Sequence, residues 1–161
     1  MKYIFIGFIL TCFLFLLNTF RIYEVIDIFN ENQYQNYQKE LSTIKSNLQK
    51  VSDTIFLTSI NTPEVIEIFK DAHKSDDDKQ AIIRKKLHNL LKEKYKKFTS
   101  VGIQQLHFHL PNNDSFLRFH KPKKFGDNLT KFRDSVRLVN EKQEAISGFE
   151  EGKIFNGYRY V

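Results

Sequence analysis

Tryptophan is absent from the sequence, and cysteine occurs once, as Cys12. A lone cysteine inside an apolar N-terminal run excludes an intrachain disulfide and leaves the redox compartment unread. The signatures of catalysis are missing as well. No nucleophile elbow, phosphate-binding glycine loop, zinc-protease helix or paired-carboxylate motif occurs, and Ser115 and His120 are too isolated to nominate as a dyad. The expectation is a protein that is not an enzyme and carries no cofactor. Calcium chemistry lacks its loop, because Ser75-Asp76-Asp77-Asp78 offers three acids without the D-x-D-x-D-G spacing. No internal repeat or low-complexity linker is visible, and 161 residues leave room for one domain.

The charge is basic but unevenly placed. The formal balance is +6, yet residues 1–60 carry five basic and five acidic side chains. The excess lies beyond residue 60, much of it between Lys79 and Lys97. A basic helix suits nucleic acid or an anionic membrane surface. Here the charges line the polar side of an amphipathic helix without any nucleic-acid motif, so no nucleic-acid partner is expected.

Phenylalanine is plentiful, and apolar patterning is long. Residues 3–20, YIFIGFILTCFLFLLNTF, are apolar with only Thr11, Asn18 and Thr19 interrupting, between Lys2 and Arg21. That length fits a membrane-spanning helix. No A-x-A-like site follows Leu17, which favours an uncleaved anchor over a signal peptide. Lys2 and the terminal amine favour an inside N-terminus, a bias that Arg21 blunts. From Phe20 to about Ile60 the pattern becomes a long helix. Tyr34, Tyr37, Leu41, Ile44, Leu48, Val51 and Ile55 alternate three and four apart, a heptad stripe with no proline or glycine in it. Two destinations stay open for this stripe: the chain's own sheet, or the same helix of a second copy in a homodimer.

Asn61-Thr62-Pro63-Glu64 is a helix start, with a capping residue, proline near the first position and an acid in the first turn. The acids at 76–78 open another helix, complementing its positive N-terminal end. Ile82, Ile83, Leu87, Leu90, Leu91, Tyr95 and Phe98 give that helix an apolar stripe ending near Thr99, and Val101-Gly102 breaks it.

The stretch from 106 to 137 organises the rest. Leu106, Phe108 and Leu110 alternate with His107 and His109, the two-residue period of a half-buried strand. Pro111-Asn112-Asn113-Asp114 is turn chemistry, and Ser115 to Phe119 a second strand, so a hairpin is expected. An irregular basic run follows, with Gly126 at a positive φ. A helix is expected from Asp127 or Asn128, with Leu129, Phe132, Val136 and Val139 at helical spacing and Asp127 as its cap. On it Arg133 and Arg137, four apart, would leave the same face as two stacked cations. Such a hairpin, lid-like loop and helix suit a small anionic or hydrogen-bonding ligand. The competing reading pairs each arginine with a nearby surface carboxylate. Strands are also expected at Ala145–Glu151 and Ile154–Val161.

Several of these motifs occur in order: H-x-P-x-x-x-S-F-L-R-x-H from His109, K-F-G-D from Lys124, then Arg133, Asn140, and G-F-E-x-G from Gly148. In this the chain resembles the periplasmic double Cache sensor domains of bacterial chemoreceptors, diguanylate cyclases and sensor kinases. The resemblance is strong over the last third and architectural before it. It implies an α+β fold: a transmembrane anchor over 1–21, a long periplasmic helix over 22–60, and a partial Cache-like domain over 61–161 with an incomplete antiparallel PAS-like sheet. It implies a bacterial inner membrane location with the C-terminal part in the periplasm. Against that family the expectation is a truncated copy, its sheet cut off before completion, without the second lobe, second membrane helix and output domain, the last missing or separately encoded. In the resembling family, arginine and acidic positions surround a pocket, which transfers here to Arg118, Arg133 and Glu150. His107 and His109 are further ligand contacts, and Arg137 joins them as the second cation of the lid helix.

Three functions compete on this footing. A solute sensor would bind a small carboxylate or amine and move the long helix. A tether would dimerise through its heptads and bind no solute. A metal protein would use His107, His109 and His120, although no metal site is expected. Convergence of Arg118, Arg133 and Glu150 separates the first from the second.

Overall fold

The computed structural model describes residues 2–152 and 156–161. The chain forms two compact units, Met1–Ser46 and Asn47–Val161. One helix, α1 (Lys2–Ile55), accounts for all of the first unit that is described. Its N-terminal part is long and apolar enough to cross a membrane, and no residue of α1 is buried in the protein. The two threonines among the polar interruptions there are satisfied internally. Thr11 Oγ1 donates to the Gly7 carbonyl (2.9 Å) and Thr19 Oγ1 to that of Phe15 (2.8 Å), which suits an environment without water. The heptad residues Tyr34, Tyr37 and Ile44 are each more than half exposed.

In the second unit α1 ends in a π-helical turn, Phe56–Ile60. Helix α2 (Pro63–Phe69) starts as its sequence demands: the Thr62 hydroxyl accepts from Val65 N and Pro63 opens the first turn. After a short 3₁₀ turn, α3 (Asp77–Ser100) is capped by Asp76, whose Oδ1 accepts from Lys79 N at 2.9 Å. Gly102, at φ +96°, closes α3, with Ile103 N returning to the Phe98 carbonyl. Leu87, Leu91 and Phe98 are buried along α3, whereas Ile82 faces out.

The hairpin forms as expected. β1 (His107–His109) pairs antiparallel with β2 (Ser115–Arg118), in register His107 to Arg118 and Phe108 to Leu117, with a bulge before His109. Asn113 takes the left-handed turn position, φ 67°. Phe108, Leu110, Phe116, Leu117 and Phe119 join Val65, Ala72, Leu87 and Leu91 in the core. Each of these valine, leucine and phenylalanine side chains contributes about 1.5–3 kcal/mol over its exposed state. Phe69 packs edge-on against both Phe108 and Phe116.

The expected helix from Asp127 or Asn128 begins later, as α4 (Asp134–Lys142). Residues 126–129 are stitched to the hairpin instead. Gly126 N donates to the Ser115 carbonyl and Ser115 N to that of Asp127, while Leu129 N reaches the Asn113 carbonyl. Asn128 Nδ2 bonds the Asn112 carbonyl (2.9 Å) and Asp114 Oδ1 (2.8 Å). These contacts span a turn that local helix formation would have broken. Asn140, on α4, ties back to Asn113 Oδ1 at 2.7 Å.

β3 (Ser147–Glu150) and β4 (Gly157–Tyr160) form a second antiparallel pair, Glu150 opposite Gly157 and Gly148 opposite Arg159. Ile154 and Phe155, the expected start of the last strand, lie outside the described residues. The architecture is α+β, with two separate two-stranded sheets among the described residues rather than one continuous sheet.

Candidate functional site

Strand alternation places two different sets of side chains on β3 and β4. Glu150 and Arg159 share one face; Phe149, Tyr158 and Tyr160 occupy the other. The second face meets the distal end of α1. Tyr158 Oη donates to Gln49 Oε1 at 3.0 Å, and the Tyr160 ring lies 6.2 Å from that of Phe56. A hydrogen bond to Asp53, followed by burial, pushes the Tyr160 phenol up to about 12.

On the first face Glu150 is the hub. Its Oε1 accepts from Ser135 N (3.1 Å) and both oxygens face Ser135 Oγ (3.2 Å). A carboxylate from β3 thus caps α4, satisfying a donor that no residue of its own N-terminus reaches. Arg159 Nε lies 2.6 Å from Glu150 Oε2, close enough for an ion pair but not aligned for a hydrogen bond. Arg133 Nη1 is 3.9 Å from the same oxygen and donates to the Glu151 carbonyl at 2.9 Å. Burial, then the Arg133 charge, lowers the Arg159 guanidinium below its ordinary value, against the pull of Glu150. The two cations share one carboxylate.

Arg118 is placed apart from this hub. It is buried and forks onto Asp127, Nη1 to Oδ1 at 2.6 Å and Nη2 to Oδ2 at 2.8 Å, with a third bond to the Lys124 carbonyl. Hydrogen bonding to Arg118 holds the Asp127 carboxyl below its usual range. Asp127 is therefore the partner of Arg118 and not a helix cap. The loop between them is fastened from a second side, since the Arg84 guanidinium stands 3.9 Å from the Phe125 ring centre and 5.3 Å from that of Phe116.

The two histidines of β1 lie against each other, ring centres 4.0 Å apart, and His107 Nε2 is 2.8 Å from the buried Ser115 Oγ. Burial first, then neighbouring His109 and Arg118, pushes His107 down to about 2. Burial, then Arg118, Arg133 and Arg159, pushes His109 down to about 4. Both rings are neutral near pH 7. His120 is lowered by burial and by Arg118, and its Nδ1 is buried without a hydrogen-bond partner among the described residues. No group of three His, Cys, Asp or Glu side chains among the described residues is placed to hold a metal ion.

Of the six residues expected at the site, Arg133 and Glu150 come together, and the charge of Arg133 is felt at His107 and His109. Arg118 reaches the histidines electrostatically while serving Asp127. Arg137 does not join them. It pairs with Asp134 (3.1 Å) and Glu141 (3.0 Å) on its own helix. The stacked pair of cations fails because Arg133 precedes α4, at φ −143° and ψ 87°, so the four-residue helical offset does not apply. Sequence reasoning missed Arg159 and Ser135. A charged residue between two tyrosines in Gly157-Tyr158-Arg159-Tyr160 was the available signal for the first. Beside the hub an open groove of about 520 Å³ runs between α4 and β3, lined by Leu138, Ile146, Phe149, Ser135 and Glu150.

Neither the curated proteins nor the solved structures offer a match to the chain. A family model does: dCache_3, described as the double sensory domain of two-component sensor kinase, matches residues 30–154. With more than half of its length matched, the chain belongs to the double Cache family of sensory domains.

Proposed function

We propose that this chain is the membrane-anchored, extracytoplasmic sensing region of a signal-transduction receptor. Residues 1–21 cross a bacterial inner membrane once, with the rest in the periplasm. The long helix over 22–60 carries the signal, and 61–161 form a Cache-like domain around a PAS-like sheet that binds a small solute rather than transforming it. The observation that carries this reading is the shared face of β3 and β4. Glu150 and Arg159 meet Arg133 on one side of that pair, and Tyr158 and Tyr160 meet the end of α1 on the other. A solute engaging the charged face gains a lever on the helix only if it binds one position of β4 better than another.

Dimerisation through α1 accompanies this reading. Tyr34, Tyr37 and Ile44 keep heptad spacing and are exposed in the single chain, which also favours the rival reading of a helical tether with no ligand. The separating experiment uses the full chain in lipid nanodiscs. Thermal unfolding is followed across a panel of small carboxylates and amines. Saturable stabilisation by one compound supports sensing. A folded dimer that none of them stabilises supports the tether.

A further inference from the structure

Glu150 has its hydrogen-bonding capacity largely committed. One oxygen takes both donors of Ser135, and the other faces Ser135 Oγ and Arg159 Nε. A carboxylate so engaged is a poor receptor for an amine. The cations beside it are the opposite case. Two guanidinium groups carry about ten N–H donors between them. Among the described residues these meet two main-chain carbonyls, those of Phe132 and Glu151, and a single carboxylate. Neutral His107 and His109 add no charge of either sign nearby. Among the described residues the hub thus has one positive charge unmatched. Arg133, Arg159 and Glu150 side chains remain 24%, 20% and 17% exposed, so a solute reaches them without unfolding anything.

Glu150 is also where the arginine pair adjoins the groove of Leu138, Ile146 and Phe149. That groove offers an apolar wall. Its lining carries Asp134 and Glu151 against one cation, Lys131, so the acids outnumber it and disfavour a second negative charge. We propose that Arg159 and Arg133 together receive the carboxylate of a small monoanion with an apolar tail, with Glu150 as the resident carboxylate it competes against. The proposal rests on the sensing reading and narrows it. Planar guanidinium forks match a carboxylate bidentately, which is the reason the site selects this group over a neutral polar one.

The test is calorimetric titration of the full chain in nanodiscs with isovalerate and benzoate, and with isoamylamine, benzylamine and succinate for contrast. Expected is binding of at least one monocarboxylate, weaker succinate binding and no amine binding. Arg159→Gln weakens that binding about tenfold or more, since it removes charge-assisted bonds. Arg159→Lys, which keeps the charge without the fork, weakens it less. Glu150→Gln still accepts from Ser135 N yet frees both arginines, so it tightens binding several-fold. A merely structural role for Glu150 predicts no gain. Arg137→Gln leaves affinity unchanged. Amine binding that Glu150→Gln abolishes overturns the proposal and leaves sensing intact. Failure of every probe to bind a chain with a normal melting transition overturns both.

Discussion

Arg118 and Asp127 lock through two parallel bonds of 2.6 and 2.8 Å, and the arginine side chain is almost completely buried while the carboxylate is not. The pair closes the loop that carries Lys121, Lys123 and Lys124 onto β2. Its cost on disruption has a different origin on each side. Arg118→Ala removes the buried partner and three bonds and leaves the loop held from the Arg84 side, while Asp127→Asn strands a charge inside. Either change is expected to destabilise by about 3 kcal/mol, the lower end of what breaking a buried pair costs, because Asp127 is partly solvated. Urea unfolding followed by circular dichroism measures both.

Acid separates that pair from the histidines. Asp127 has a folded value below its unfolded one, so its contribution is present above about pH 4 and is lost as pH falls through the folded value. His107 and His109 begin to act earlier. Their ordinary value is 6.5, while folding pushes them to about 2 and about 4. Below 6.5 the unfolded chain takes up protons that the folded chain refuses, so stability is full above that pH and declines as it falls. The melting temperature is expected to drop from about pH 6.5 downward, before any carboxylate titrates. His109→Gln flattens the upper part of the decline, and Asp127→Asn flattens only the part below about pH 4. A melting series from about pH 8 to about pH 3 distinguishes the two windows.

How far the sequence could be read depends on the distance over which each choice is made. The hairpin was legible because its causes are local: alternation through Phe108, and turn residues in which Asn113 accepts a left-handed backbone. The caps at Thr62 and Asp76 were legible for the same reason. The start of α4 was not. Asp127 and Asn128 look like caps, but their partners are Arg118 and Asp114, nine and fourteen residues back. Ile82 has the spacing of a core residue and faces solvent. Glu150 was found through its motif, while its meeting with Arg159 depends on the register in which β3 and β4 pair, Gly148 opposite Arg159 and Glu150 opposite Gly157.

The core gives a prediction that separates spacing from burial. Phe116 is 1% exposed, packs on Phe69 and lies under Arg84. Phe116→Ala is expected to cost about 3–5 kcal/mol, from lost transfer energy and the cavity left behind. Ile82→Ala, on the apolar stripe of α3 by sequence but 56% exposed, is expected to change stability by less than about 0.5 kcal/mol. Chemical denaturation of the two variants checks the contrast.

The last prediction concerns the opposite face of β4. Tyr158 and Tyr160 hold α1 near Gln49 and Asp53, while Arg159 between them faces the hub. A strand cannot translate one of these side chains without carrying its neighbours, because alternate residues are fixed to opposite faces of one backbone. If β4 is the lever, replacing the tyrosine hydroxyls uncouples the helix without emptying the site. Tyr158→Phe with Tyr160→Phe is expected to leave solute affinity within about twofold of the parent, since the lost bonds lie away from the guanidinium groups. The same double variant is expected to abolish the solute-dependent change in distance between spin labels on α1 in the two copies of a dimer. Asp53→Asn probes the link from the helix side, and brings the Tyr160 phenol down from about 12 toward its ordinary value, as read by ultraviolet titration. A distance change that survives all three substitutions would place the lever elsewhere in the domain.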